Sequence, residues 1–213
     1  MLIAIDGPAA SGKGTLGRLI AAHYGLSHLD TGRLYRAVAR DVLASGASPA
    51  DMGAALSAAE ALDFASLDDP ALMDGRLGEA ASLVAGLPEV RAVLVTYQRA
   101  FARRDCGAVL DGRDIGTVIC PDADVKLFVT ASAGARAGRR YRELREAGLD
   151  ITEAEVLADI RRRDQRDENR AVSPLLQPRD AYLLDTTNLD IDAALKAAIA
   201  LIDAAMGRAG QAG

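Results

Sequence analysis

The feature that most constrains this chain lies at its start. The apolar run Leu2, Ile3, Ala4, Ile5 ends at Asp6, GPAASGKGT follows at residues 7 to 15, and Leu16, Leu19 and Ile20 then recur at helical spacing. A buried strand, a glycine-rich turn and a helix in that order gather backbone N–H groups and the positive end of a helix around one point, a ready site for an anion. Gly7 and Gly12 allow the amides to turn inward, and Lys13 stands where it can neutralise charge shared between phosphates. Gly7, Pro8, Ala9, Ala10, Ser11, Gly12, Lys13, Gly14 and Thr15 are therefore the candidate nucleotide-phosphate ligands. The strict pattern has Ser or Thr directly after the lysine; here Gly14 intervenes and the hydroxyl comes at Thr15. A glycine turn that caps a helix beside a chance lysine is the plain alternative, and the strand before and helix after argue against it.

Further strand candidates, Ala108 to Leu110, Val125 to Val129 and Tyr182 to Leu184, alternate with helical patterns instead of following one another as hairpins. That order predicts an α/β chain whose parallel sheet is flanked by helices. From Pro49 to Arg104 the text is alanine-rich and helical in period, broken at Asp68, Asp69 and Pro70, and reads as a helical insertion. The final helix is expected to bury a face bearing Leu195, Ile199, Ile202 and Met206. With 213 residues, half of them hydrophobic, the chain can bury one sizeable core.

Charge narrows the partners. A formal net charge of −5 gives no overall positive field with which to hold a nucleic-acid backbone, so an anion must be met locally. Leu2 to Ile5 is too short for a signal segment, and Lys196 and Asp203 interrupt the apolar C-terminal stretch, so neither membrane nor nucleic acid is expected as a partner. Cys106 and Cys120 lack CxxC spacing and read as buried thiols in a reducing compartment, with the chain a cytoplasmic monomer. Lysine occurs only at 13, 126 and 196, so most positive charge comes as guanidinium forks suited to phosphate.

A phosphate loop alone does not choose a reaction. The segment DTGRLYRAVAR, residues 30 to 40, opens a helix on Thr31 with Arg36 just inside, and a phosphate could sit between them; a Thr cap with an exposed arginine is the other reading. The strand at 108 to 110 runs into DGRD, which puts Asp111, Arg113 and Asp114 at the carboxyl edge of the sheet, where open α/β folds bind ligands. Between Arg136 and Arg170, Val156, Ile160, Arg163, Asp167 and Arg170 share one helical face on which an apolar stripe turns into a charged one. Either that helix leaves the core for solvent or it enters a charged cleft. Gly134, Gly138 and Gly148 punctuate the same region and suit a moving element. His23 and His28 read as packing or capping residues.

Taken in order, GPAASGKGT, DTGRLYRAVA, DGRDIGTVICPDA and RDQRDENRAVSPL resemble bacterial cytidylate kinase over most of the chain. The resemblance implies a P-loop NTPase fold with a helical monophosphate-binding insertion and a lid. Residues 1–30, 105–131 and 171–213 would form the core, 31–104 the insertion, and 132–170 the lid with its flanking helices. It implies ATP and Mg²⁺ as donor and metal, with CMP and dCMP as acceptors. Carried over by position, Thr31, Arg36 and Arg113 would meet the acceptor phosphate; Ser82, Arg91 and Asp114 would read the cytosine edge; Asp167 would hold the ribose, and Arg170 would help position the nucleotide. Lys13 and the arginines 139, 140, 163 and 166 would serve the transferring phosphoryl group; no metal ligand is assigned. The chain departs from the pattern in the short, acidic segment 62 to 80, in EAAS around Ser82, and in Arg33, where a small residue is usual. A kinase for another acceptor such as UMP, or a nucleotide-dependent switch, remain the competing readings.

Overall fold

The computed structural model describes residues 1–73 and 75–209. Five strands, β1 (Leu2–Asp6), β2 (Ser27–Asp30), β3 (Ala108–Gly112), β4 (Val125–Thr130) and β5 (Tyr182–Asp185), form one sheet in the order β2-β3-β1-β4-β5. Every pairing is parallel. The register aligns Asp6 with Gly112 and Asp30 with Asp111, so the polar ends of three adjacent strands lie side by side at one edge. Strand β2 is an edge strand of four residues, too brief to carry a periodic signal.

Eight helices surround the sheet among the described residues: α1 (Lys13–Tyr24), α2 (Thr31–Ala44), α3 (Met52–Glu60), α4 (Gly75–Val84), α5 (Pro88–Ala102), α6 (Ala133–Glu146), α7 (Glu153–Glu168) and α8 (Ile191–Ala209). Side chains alternate across the strands. Ile3, Ile5, Val109 and Leu127 pack toward α1 and α8, while Ala4 and Leu110 face the opposite way into a cluster built by α2 to α5. The stretch 49–104 is helical in character, as its period predicts, with two 3₁₀ turns at Phe64–Asp68 and Pro70–Met73 around the break at Asp69; the buried side chains of α2 to α5 join those of the sheet in one cluster among the described residues. Helices α6 and α7 carry a small core of their own, Ala137, Val156 and Ile160, against which Ala10 of the phosphate loop packs.

Several local expectations are corrected. Of the expected face of α8, Ile202 is buried and Leu195 packs beside it, but Ile199 is only half-buried and Met206 is exposed; Ala194 and Ala198 complete the buried face and let the helix lie close on the sheet. Cys120 is buried, but Cys106 is exposed, because it stands in the turn before β3 and not in the strand. Gly134 and Gly138 lie inside α6, where Gly138 makes room for Glu153 of α7, and only Gly148, at φ 79°, occupies a turn. Arg170 lies beyond α7, after its cap Asn169. No single helix among the described residues is long and apolar enough to cross a membrane.

Candidate active site

A cleft of about 510 Å³ opens over the carboxyl ends of β1, β2 and β3. Its floor is the loop between β1 and α1. Gly7 has φ 154°, and a Cβ there would overlap the Val129 carbonyl of neighbouring β4, so only glycine permits this approach. Gly12 caps α1 in the left-handed region, and Ala10, a non-glycine, is held there at φ 58°. Ala9, Ala10, Gly12, Lys13, Gly14 and Thr15 line the cleft, while Gly7, Pro8 and Ser11 shape the loop from behind. Lys13 Nζ makes no hydrogen bond or ion pair among the described residues. Burial, together with the nearby Arg113 charge, pulls its ammonium down to about 8 against the pull of Asp111, Asp30 and Asp167.

Two carboxylates stand beside that lysine. Asp30 ends β2 and caps α2, accepting from Gly32 N at 2.9 Å, so the cap is Asp30 and not Thr31. Thr31 is the first residue of α2 and donates its hydroxyl to the Asp111 carbonyl at 2.8 Å, which ties the start of α2 to the end of β3. Asp111 takes the imidazole of His28 at 2.8 Å on one oxygen, while its other oxygen is buried without a partner. A Cβ on Gly14 would stand 3.7 Å from an oxygen of each carboxylate, so the glycine that replaces the usual hydroxyl residue leaves space beside the pair. Burial and the facing Asp111 raise Asp30 above the ordinary carboxylate range. Asp30 and His28 escaped the sequence reading because their partner lies on a different strand; the capping position of Asp30 before a helical run was the available signal.

The opposite wall brings together what the sequence scattered. Arg113 Nε donates to Asp167 Oδ2 at 2.7 Å, joining the DGRD turn to α7. Burial alone would raise Asp167, but the Arg113 charge and hydrogen bond hold it below the usual range. Arg91, buried on α5, is ion-paired with Asp114, also donates to the Ala85 carbonyl at 3.3 Å, and lies over the Tyr35 ring at 5.6 Å. Ser82 reaches the same wall from α4. Arg170 donates to the carbonyls of Ala85, at 3.3 Å, and Ser173, at 2.8 Å. Helix α7 thus enters a charged cleft and not solvent: Val156, Ile160 and Asp167 on its stripe are all buried.

Arginines crowd the cleft mouth. Arg36 donates to the Leu72 carbonyl at 2.9 Å, and burial with the neighbouring Arg163 charge lowers it to about 10. Arg163, lowered by burial and by Arg113, leaves Nε buried and unpartnered. Arg140 pairs with Glu143 at 2.9 Å, and Arg139 reaches Thr186 Oγ1 at 3.1 Å and the Leu189 carbonyl at 3.3 Å. Arg33 donates to the Leu67 carbonyl at 2.8 Å and so braces the 3₁₀ turn at the cleft edge. Arg166 does not line the cleft; it binds Ser82 and Glu79 on α4. No group of three or more His, Cys, Asp or Glu side chains among the described residues is arranged to hold a metal ion.

Cationic side chains that depress one another inside a partly dry cleft describe a place that receives several negative charges at once. The comparisons agree with that chemistry. A cytidylate kinase family model matches residues 3–204. Cytidylate kinases of Nitrobacter winogradskyi and Methylocella silvestris are 58% and 59% identical to this chain, the first over 100% of both chains, the second over 96% of this chain and 95% of its own. Among solved structures, an uncharacterized protein from Eubacterium ventriosum matches with a TM-score of 0.54 over 95% of this chain and 98% of its own at 16% identity, a likeness of fold alone. The chain belongs to the cytidylate kinase family.

Proposed function

We propose that the cleft holds ATP and CMP or dCMP together, and that its residues align an in-line transfer of the γ-phosphoryl group to give ADP and CDP or dCDP. The observation that carries this reading is the convergence of Lys13, Arg36, Arg113, Arg140 and Arg163 on one cavity that is walled by the phosphate loop on one side and by Ser82, Arg91 and Asp114 on the other. Phosphoryl transfer asks little covalent chemistry of the protein, so positioning and charge supply the catalysis. The loop amides and Lys13 take the donor phosphates. Arg163, Arg139 and Arg140 come from the helices above and meet charge that develops on the group in flight. Thr31, at the N-terminus of α2, with Arg36 and Arg113, receives the acceptor phosphate. Arg36 lets go of the Leu72 carbonyl to do so.

The base wall suits cytosine. Asp114, fixed by Arg91, accepts from the N4 amino group, and guanidinium or hydroxyl donors meet N3 and O2. Uracil would set O4 against a carboxylate, and sites built on such hydrogen bonds reject the wrong analogue by factors on the order of 10⁴. Asp167, aligned by Arg113, and Arg170 face the ribose.

Mg²⁺ fits the residues present. The unpartnered buried oxygen of Asp111 and the neighbouring carboxylate of Asp30 are hard oxygen donors beside the phosphate loop, and Mg²⁺ is commonly held by one or two carboxylates with phosphates and water. Bound there, it would neutralise charge on the donor phosphates.

The test is ADP release with ATP and Mg²⁺ against CMP, dCMP, UMP, AMP, GMP and dTMP, beside a blank without acceptor. Selective turnover of CMP and dCMP is the expected result. Preferred turnover of UMP would move the acceptor assignment, and equal rates with and without acceptor would make the protein a nucleotide hydrolase or switch.

A further inference from the structure

Arg166 stands one turn from the cleft residues Arg163 and Arg170 yet turns away from them. Its Nη1 donates to Ser82 Oγ at 2.9 Å and its Nη2 to Glu79 Oε1 at 2.6 Å. Both acceptors belong to α4, so a side chain of α7 reaches across to the helix that carries the candidate base reader. The neighbouring turns extend this seam. A Cβ on Gly78 would come within 3.1 Å of Arg163 Nη1, which means that Arg163 passes directly over a residue with no side chain. Arg170 reaches the Ala85 carbonyl at the end of α4, at 3.3 Å. Arg163, Arg166 and Arg170 therefore meet successive turns of α4, and only the middle one binds a side chain that lines the cleft.

We propose that Arg166 is a positioning residue for recognition of the acceptor base: it holds the Ser82 hydroxyl in the orientation that reads the base and makes that orientation depend on the docking of α7 against α4. The inference rests on the base-site reading given above. A serine hydroxyl has one proton and two lone pairs and rotates among staggered positions. Accepting from a guanidinium commits one lone pair and fixes the oxygen, and it strengthens the remaining O–H as a donor. What the base meets is then a directed hydroxyl and not a rotor. Glu79 completes the device by fixing the guanidinium; hydrogen bonding to Arg166, together with its charge, lowers the Glu79 carboxyl below the usual range despite partial burial. The ion pair itself is too exposed, at 28% and 42%, to matter much for folding, so its loss should leave the protein intact.

The experiment is steady-state kinetics on Arg166→Met, Arg166→Lys, Glu79→Gln, Ser82→Ala and the Arg166→Met/Ser82→Ala double variant, with thermal melting as the check on folding. CMP and UMP are varied at saturating ATP, then ATP at saturating CMP. Arg166→Met should raise KM for CMP about tenfold, the worth of one charge-assisted hydrogen bond, and narrow the preference for CMP over UMP by a similar factor. The ATP KM and kcat should stay within about twofold. Arg166→Lys should restore part of the loss, Glu79→Gln should move the same quantities by less, and the double variant should be no worse than Ser82→Ala alone. A fall in kcat with unchanged KM for CMP would overturn the proposal and make Arg166 a phosphoryl-transfer residue. So would losses that multiply in the double variant, since the two residues would then act separately. A wild-type enzyme that ignores CMP defeats the base-site reading itself, and that result comes from the wild type before any variant is read.

Discussion

At the scale of single residues, two buried charges govern pH behaviour. Lys13 is lowered to about 8, so the free enzyme loses its ammonium as pH rises through about 8, and the ATP phosphates proposed to bind beside it would favour the charged form again. We expect kcat/KM for ATP to fall above about pH 8 while kcat holds to higher pH, measured as paired pH profiles. Lys13→Met should cut kcat by about 10²-fold or more with melting little changed, since the side chain makes no hydrogen bond or ion pair among the described residues. Asp6 closes β1 and accepts from the amides of Ile115 and Gly116, both at 2.7 Å, at the π-helical turn after Asp114. Burial outweighs those hydrogen bonds and raises it to about 6. The folded state then holds a proton that the unfolded chain has released between pH 3.8 and about 6, so this group's contribution to stability is greatest below that window and declines as pH rises through it. The stability difference between wild type and Asp6→Asn should shift by roughly 2–3 kcal/mol across that window, read by urea unfolding at pH 4 and pH 7. A flat difference would show that Asp6 does not titrate there.

Among the elements, α6 and α7 are set apart. Their shared core is small, Ala137, Val156 and Ile160, whereas α2 to α5 are continuous with the sheet core. Units with few buried contacts open at low free energy. Amide exchange across 133–168 should therefore be fast in the free protein and slow several-fold only when an ATP analogue and CMP are bound together. Unchanged exchange with both nucleotides present would remove the lid role from these helices. Thr152 and Glu155 form a reciprocal capping box at the start of α7, and Thr152→Ala should cost about 1 kcal/mol locally, visible as faster exchange in the first turn. The apolar-to-charged stripe of α7 was legible because it follows helical spacing. Its destination was not, since a solvated end and a cleft wall write the same pattern; long-range contacts such as the Arg113 to Asp167 hydrogen bond, across 54 positions of sequence, separate them.

In the whole molecule, the proposed donor and acceptor residues line one cavity, so the binding energies of the two nucleotides should be linked through closure. CMP at about 100 times its Kd should stabilise the fold by about 2.7 kcal/mol, and an ATP analogue under like conditions by a similar amount. Together they should raise Tm by more than the sum of the separate shifts, as thermal scans can show; strict additivity would mean that the cleft does not close around the pair. The strand, loop and helix of residues 2 to 20 settle by local rules alone: alternation, glycine freedom and helix polarity point the same way without distant help. For the same reason Lys13, the helical character of 31–104 and the membership implied by four ordered motifs were readable from the chain. Contacts between strands and helices were not. That Asp30 stands beside Asp111, that Arg91 pairs with Asp114, and that Arg166 binds Ser82 are all decided by sheet order and by the packing of α7 on α4. Sequence fixes which groups are present and which face of their own element they occupy; only the tertiary fold, by balancing burial against charge pairing over the whole core, chooses which of them meet.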